Sequence, residues 1–124
     1  SYSAVLLWGQ ALARTMLDGE LAWTTIPLAA KKTAGYNGKG DADVINVLGT
    51  IGEARVFVVF TETDDGEVKV SWRARPGFDV SRVAQTFGGG GHVAAAGATV
   101  KGALAEVEEK VLAATRKMIA SRDE

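Results

Sequence analysis

The segment VFVVF at residues 56–60, followed by TDDG at 63–66 and VKVSW at 68–72, constrains the fold more than any other part of the chain. A short, β-branched apolar run bounded by charges and turn residues reads as a core strand, because it lacks the length of a buried helix. In the second segment Val68, Val70 and Trp72 alternate with Lys69, Ser71 and Arg73, the period of a strand with one buried and one polar face. A four-residue turn between two such runs predicts an antiparallel hairpin. Arg73, Ser71 and Lys69 then share the polar face.

The flanking sequence is mostly helical in period. Val5, Trp8, Leu12 and Met16 predict a helix over 3–18, capped at Ser3 and stopped at Gly19. LAWTTI at 21–26 reads as a short strand. Pro27 opens a short helix to about Thr33, ended by Gly35, because its fixed φ suits a position whose N–H is unpaired anyway. Another short helix is expected over 42–48. After Pro76 and Gly77, Asp79 caps a helix that turns Val80, Val83 and Ala84 inward. Ala98 to Val100 is a short strand, and 102–121 is an amphipathic helix with Leu104, Val107, Val111, Leu112, Met118 and Ile119 as its stripe. Its charges, among them Glu106, Glu108, Glu109, Lys110, Arg116 and Lys117, are expected to be solvated. These elements lack regular βα alternation, so the expected class is α+β, a mixed sheet of four to five strands containing the hairpin and flanked by helices.

At 124 residues the chain fits one domain, spanning 1–124; the loop GYNGKG at 35–40 is too short to be a domain boundary. With no cysteine there is neither a disulfide framework nor a thiolate nucleophile, and a cytoplasmic location is the default expectation. No apolar run approaches the roughly 20 residues of a spanning helix, so no membrane partner is expected. The chain starts without Met and is helix-like from Ser3, which suggests a piece of a longer protein. Net charge is −1, yet residues 68–101 carry five basic side chains and one acidic one. A local positive field on a nearly neutral protein suits a small anion or a few phosphates better than a duplex track.

That basic segment contains FGGGGHVAAAG at 87–97, with four adjacent glycines, Gly88 to Gly91, and the only histidine, His92. Each ordered glycine costs about 0.5–1 kcal/mol relative to alanine. One reading is a flexible linker. The other is an anion cradle of unobstructed N–H groups, strengthened if 93–96 is a helical turn beginning at His92, with the imidazole at its mouth. The run matches neither the dinucleotide fingerprint, since position 93 is Val, nor a triphosphate loop, since no Lys-Ser or Lys-Thr pair follows.

GGGHVAAAG, preceded by FDVSRVAQTFG and by KVSWRAR about twenty residues upstream, resembles the DHH-associated accessory domain of the DHH phosphoesterases, of the first type. The likeness rests on Asp79 and Val80, on Gly89, Gly90, Gly91 and His92, on Ala95, Ala96 and Gly97, and on Ser71 and Arg73. DADVINVLGTIGEARVFVVFTE extends it over at least 43–112. Similarity is greatest to the nanoRNases, which degrade very short oligonucleotides and dephosphorylate adenosine 3′,5′-bisphosphate, and to RecJ-like exonucleases. The resemblance implies that an N-terminal domain with an Asp-His-His signature holds two divalent metals, usually manganese, and generates the attacking hydroxide. This domain would grip the substrate phosphate through Gly88, Gly89, Gly90, Gly91, His92, Ser71 and Arg73. The family often has Ser where this chain has Ala74, and a basic residue where it has Val93 and Ala94; Arg75 is a candidate to compensate.

Alone, the chain is expected to bind a nucleotide or short oligonucleotide without catalysing and without a metal of its own. One histidine and the turn acids Asp64 and Asp65 do not make a dinuclear site, and Ser71, Ser81 and His92 lack an acidic orienter for a triad. The alternatives are a nucleic-acid module like that of alanyl-tRNA synthetases, in which this histidine is normally missing, a cyclic-dinucleotide phosphodiesterase domain, and a structural or homo-oligomerising domain. Trp8 and Trp72 are expected in the core, while Trp23 is open between core and a stacking surface for a base. Tyr36 and Asn37 are left without a role.

Overall fold

A computed structural model describes residues 1–122. The elements are α1 (Tyr2–Leu12), β1 (Met16–Asp18), β2 (Leu21–Ile26), α2 (Leu28–Ala34), α3 (Val44–Leu48), β3 (Val56–Glu62), β4 (Glu67–Ala74), α4 (Val80–Thr86), β5 (Gly90–His92), β6 (Ala95–Lys101) and α5 (Leu104–Ala120). They form an α+β domain around one mixed sheet of order β1-β2-β3-β4-β6-β5, in which β2 and β3 are parallel and all other neighbours antiparallel.

The expected hairpin is present as β3 and β4, with Val59 opposite Ser71 and Val58 opposite Trp72. The sheet has six strands rather than four or five. The additional ones are the three-residue edges β1 and β5, too short for alternation to show in sequence. β1 lies where the expected first helix was to continue. That helix instead ends at Leu12, and Gly19, at φ +59°, reverses the chain so that Met16 pairs with Trp23. Its cap is Ser1, whose Oγ accepts from the Ala4 N–H, rather than Ser3. Pro27 and Gly35 bracket α2 as expected, Gly35 as a left-handed C-cap at φ +70°.

One sheet face carries Leu21, Trp23, Val56, Val58, Phe60, Val68, Val70, Trp72 and Ala96 into a core closed by α4 and α5. Trp72 is fully buried, donates from Nε1 to Thr115 Oγ1 at 3.1 Å, and stacks on Phe87 at 6.4 Å between centroids. Trp23 also belongs to this core, and its Nε1 donates to Glu108 Oε2 at 3.1 Å under the Arg116 guanidinium. It therefore offers no stacking face, and two charges of α5 expected to be solvated cover it. The opposite sheet face buries Ala22, Ile26, Phe57 and Val59 against α1, α2 and α3. That second core takes no buried residue from β4, β5 or β6, although α3 approaches β4. Among the described residues, no helix is long and apolar enough to cross a membrane.

Candidate functional site

The polar side of β4 emerges on the sheet face of this second core. Directly paired residues of an antiparallel ladder share a face. Arg73 lies opposite Ala95, which lies opposite His92; Ser71 lies opposite Gly97, which lies opposite Gly90; Lys69 lies opposite Thr99. Arg73 and His92 are thus two strand spacings apart, about 10 Å, with only Ala95 between them. A shallow open trough beside them is lined by Lys69, Val70, Ser71, Gly88, Gly89, Gly97, Ala98 and Thr99, without an acidic side chain.

The glycine segment runs into a tight hairpin, so the condition of a helical turn over 93–96 is not met. Residues 93 and 94 form the turn between β5 and β6. The Val93 carbonyl accepts from the Val80 N–H at 2.9 Å and the Ala94 carbonyl from the Ala74 N–H at 2.9 Å. The tip is thereby tied to the start of α4 and the end of β4. Residues 93–96 therefore supply no helix N-terminus at His92, and the charge of the face comes from its side chains.

Three glycines of the run meet different requirements. Gly88, at φ +79°, adopts a left-handed conformation as α4 ends, its N–H bonded to the Gln85 carbonyl. A Cβ on Gly89 would lie 2.0 Å from the Gly97 carbonyl oxygen and 2.6 Å from Ala98 Cβ. Gly91 has φ +143°, and a Cβ there would lie 2.6 Å from the Ala95 carbonyl oxygen. Residues 95–98 are accordingly pressed by Gly89 and Gly91 of the chain itself. Gly90 stands apart: a Cβ would meet nothing within 4 Å, and its φ lies outside the left-handed range. Neither packing nor backbone conformation requires glycine there, and it sits on the face of Ser71 and Arg73.

The two arginines have different fates. Arg73 is half-buried, and its Nη1 donates to the Trp72 carbonyl at 3.0 Å. Arg75 lies outside this arrangement. Its Nε donates to the Ala54 carbonyl and its Nη2 to those of Gly49 and Ile51, at 3.0, 3.1 and 3.3 Å, with the guanidinium over the Phe57 ring. Its guanidinium fastens the loop before β3. Lys69 and Thr99 join the trough unforeseen as site residues. Strand alternation had grouped Lys69 with Ser71 and Arg73, but Thr99 needed the β4–β6 register.

Among the described residues, no three His, Cys, Asp or Glu side chains converge as a metal site. Asp79 is the expected cap, its Oδ1 accepting from the Ser81 N–H at 3.0 Å. The chain's own donor set therefore does not fit the two divalent metals that the resemblance implies for the enzyme, and no step of a metal reaction is derived from these residues.

The DHHA1 domain family matches residues 25–121. Over 66 residues the chain is 47% identical to the bifunctional oligoribonuclease and PAP phosphatase NrnA of Thermus thermophilus, a match covering 52% of this chain and 20% of that protein. An exopolyphosphatase-related protein from Bacteroides fragilis superposes with a TM-score of 0.88 at 24% identity, over 100% of this chain and 37% of its own. The pGpG-specific phosphodiesterase PggH from Vibrio cholerae superposes at 0.66 with 11% identity, over 94% and 39%. The chain thus spans well under half the length of each of these proteins, and the two structural likenesses bear on the fold. The match over residues 25–121 makes the chain a member of the DHHA1 family, the DHH-associated domain of DHH phosphoesterases.

Proposed function

We propose that this domain is the substrate clamp of a longer DHH phosphoesterase, holding a phosphate of a nucleotide or short oligonucleotide while an N-terminal DHH domain in cis cleaves it. The observation that carries this reading is Gly90, a glycine that the fold itself does not require, on a sheet face shared with Arg73, Ser71 and His92. A phosphate resting on that bare backbone would come within reach of the Ser71 hydroxyl, the His92 imidazole and the Arg73 guanidinium. Charge-assisted bonds from a planar guanidinium suit phosphate oxygens especially well. In this division of labour the metals, manganese by expectation, and the attacking hydroxide belong to the other domain. The likeness to an oligoribonuclease and PAP phosphatase favours short oligoribonucleotides and adenosine 3′,5′-bisphosphate as substrates.

The test is calorimetric titration of the domain with adenosine 3′,5′-bisphosphate, short oligoribonucleotides and cyclic dinucleotides, using the unmodified chain, Arg73→Ala and His92→Ala. Loss of affinity in both variants, with unchanged circular dichroism, is expected. Unchanged affinity in both overturns the clamp. Turnover by this chain with manganese, above a His92→Ala control, overturns the division of labour.

A further inference from the structure

Lys69 lines a second cavity besides the trough beside Gly88 and Gly89. This pocket, of about 360 Å³, lies under the loop that joins α2 to α3. Its walls include Lys31, Tyr36, Asn37, Asp64, Asp65 and Lys69. Its volume lies within the range of small-molecule sites.

The loop is held in place. Lys31 is only 8% exposed, and its ammonium donates to the Gly38 and Lys39 carbonyls, each at 3.1 Å. The Tyr36 ring folds onto Gly38, where a Cβ would lie 2.5 Å from the ring. Asn37 is left exposed at the pocket with both amide donors and its acceptor available in the described contacts.

The pocket carries both signs of charge. Lys31, Lys39 and Lys69 line it together with Asp64, Asp65 and Glu67, on and beside the β3–β4 turn. A bare phosphate suits such a wall poorly. A nucleoside suits it well, because ribose hydroxyls and base amino groups donate to carboxylates, and an Asn side chain both donates to and accepts from a base edge. Lys69, exposed and shared by both cavities, stands where a phosphodiester would pass between them. Along β4, Lys69 and Arg73 are four residues apart, about 13 Å. That is farther than one phosphate reaches and within the span of a dinucleotide.

We propose that the pocket bounded by Tyr36, Asn37, Asp64 and Asp65 is a ribonucleoside subsite, which holds the nucleotide next to the one whose phosphate lies on Gly90. This rests on the clamp reading above and adds to it a preference for oligoribonucleotides over mononucleotides and over DNA. The pocket reads the sugar and base; the Gly90 face reads the phosphate.

Amide NMR titrations of the full chain at millimolar ligand separate the two sites. The probes are adenosine monophosphate, the 5′-phosphorylated diadenosine ribonucleotide and its 2′-deoxy counterpart. The diribonucleotide is expected to shift the Asn37 and Gly38 amides as well as those of Gly90 and His92, and to bind at least threefold tighter than the other two. Asn37→Ala, and Asp64→Asn with Asp65→Asn, should abolish that advantage and leave the mononucleotide affinity unchanged. If the diribonucleotide shifts only the Gly90 and His92 amides, or if both variants keep its advantage, the subsite is overturned and the clamp stands. If the mononucleotide fails to shift Gly90 and His92, the clamp reading has failed and the subsite with it.

Discussion

Gly90→Ala separates what the fold needs from what a ligand needs. In the folded chain the new methyl meets nothing within 4 Å, and the backbone there is one that alanine adopts. The change should therefore leave the native state unstrained and reduce the freedom of the unfolded chain, stabilising the protein by about 0.4–1 kcal/mol. For a domain of this size that raises Tm by about 1–4 °C. The neighbouring change Gly89→Ala provides the contrast. Its Cβ would lie 2.0 Å from a backbone carbonyl, so β5 must move away from β6, at a cost of about 1–3 kcal/mol. Binding should respond in the other direction. A methyl on the Gly90 face holds a phosphate off the backbone and removes about one hydrogen bond to a charged group, worth about 1.5–3 kcal/mol. That corresponds to about 10- to 150-fold in Kd. Scanning calorimetry and calorimetric titration with adenosine 3′,5′-bisphosphate measure the two effects on one preparation. A Gly90→Ala protein that melts higher and binds as tightly as the parent refutes the role of the bare backbone. One that melts several degrees lower shows that the fold requires this glycine after all.

Three further outcomes follow from the contacts. Arg75→Ala removes the donors to the Gly49, Ile51 and Ala54 carbonyls and should cost about 2–3 kcal/mol in urea unfolding while leaving ligand affinity intact, the inverse of Arg73→Ala. Thr115→Val strands the Trp72 Nε1–H in the core, at about 1–3 kcal/mol, with a change in Trp fluorescence. Burial, and secondarily the Lys69 ammonium, hold the pKa of Lys31 below its ordinary 10.5. Between the lowered folded value and 10.5 the unfolded chain binds the extra proton, so stability relative to Lys31→Met should rise with pH across that window and be flat below it, as denaturant midpoints will show.

The sequence by itself determined the local periods and stops. The β3–β4 hairpin, the Asp79 cap, the Gly35 terminus and the buried stripe of α5 are each set by residues within a turn or two of one another, where period and capping chemistry suffice. The motif GGGHVAAAG likewise marked the candidate site, although nothing local distinguished its four glycines. Tertiary structure decided what local pattern leaves open. Whether 93–96 turns as a helix or a hairpin depended on bonds from Val80 and Ala74, distant in sequence. Arg73 and Arg75 lie two residues apart on similar chemistry, yet one stays at the open face and the other is taken up by three carbonyls of the loop before β3. Trp23 became core because α5 closes over it. The pairing of β6 with both β4 and β5 placed His92, Arg73, Ser71 and Gly90 on one face. Strand register is a long-range choice made by burial of the opposite face, which is why no window of the sequence contains it.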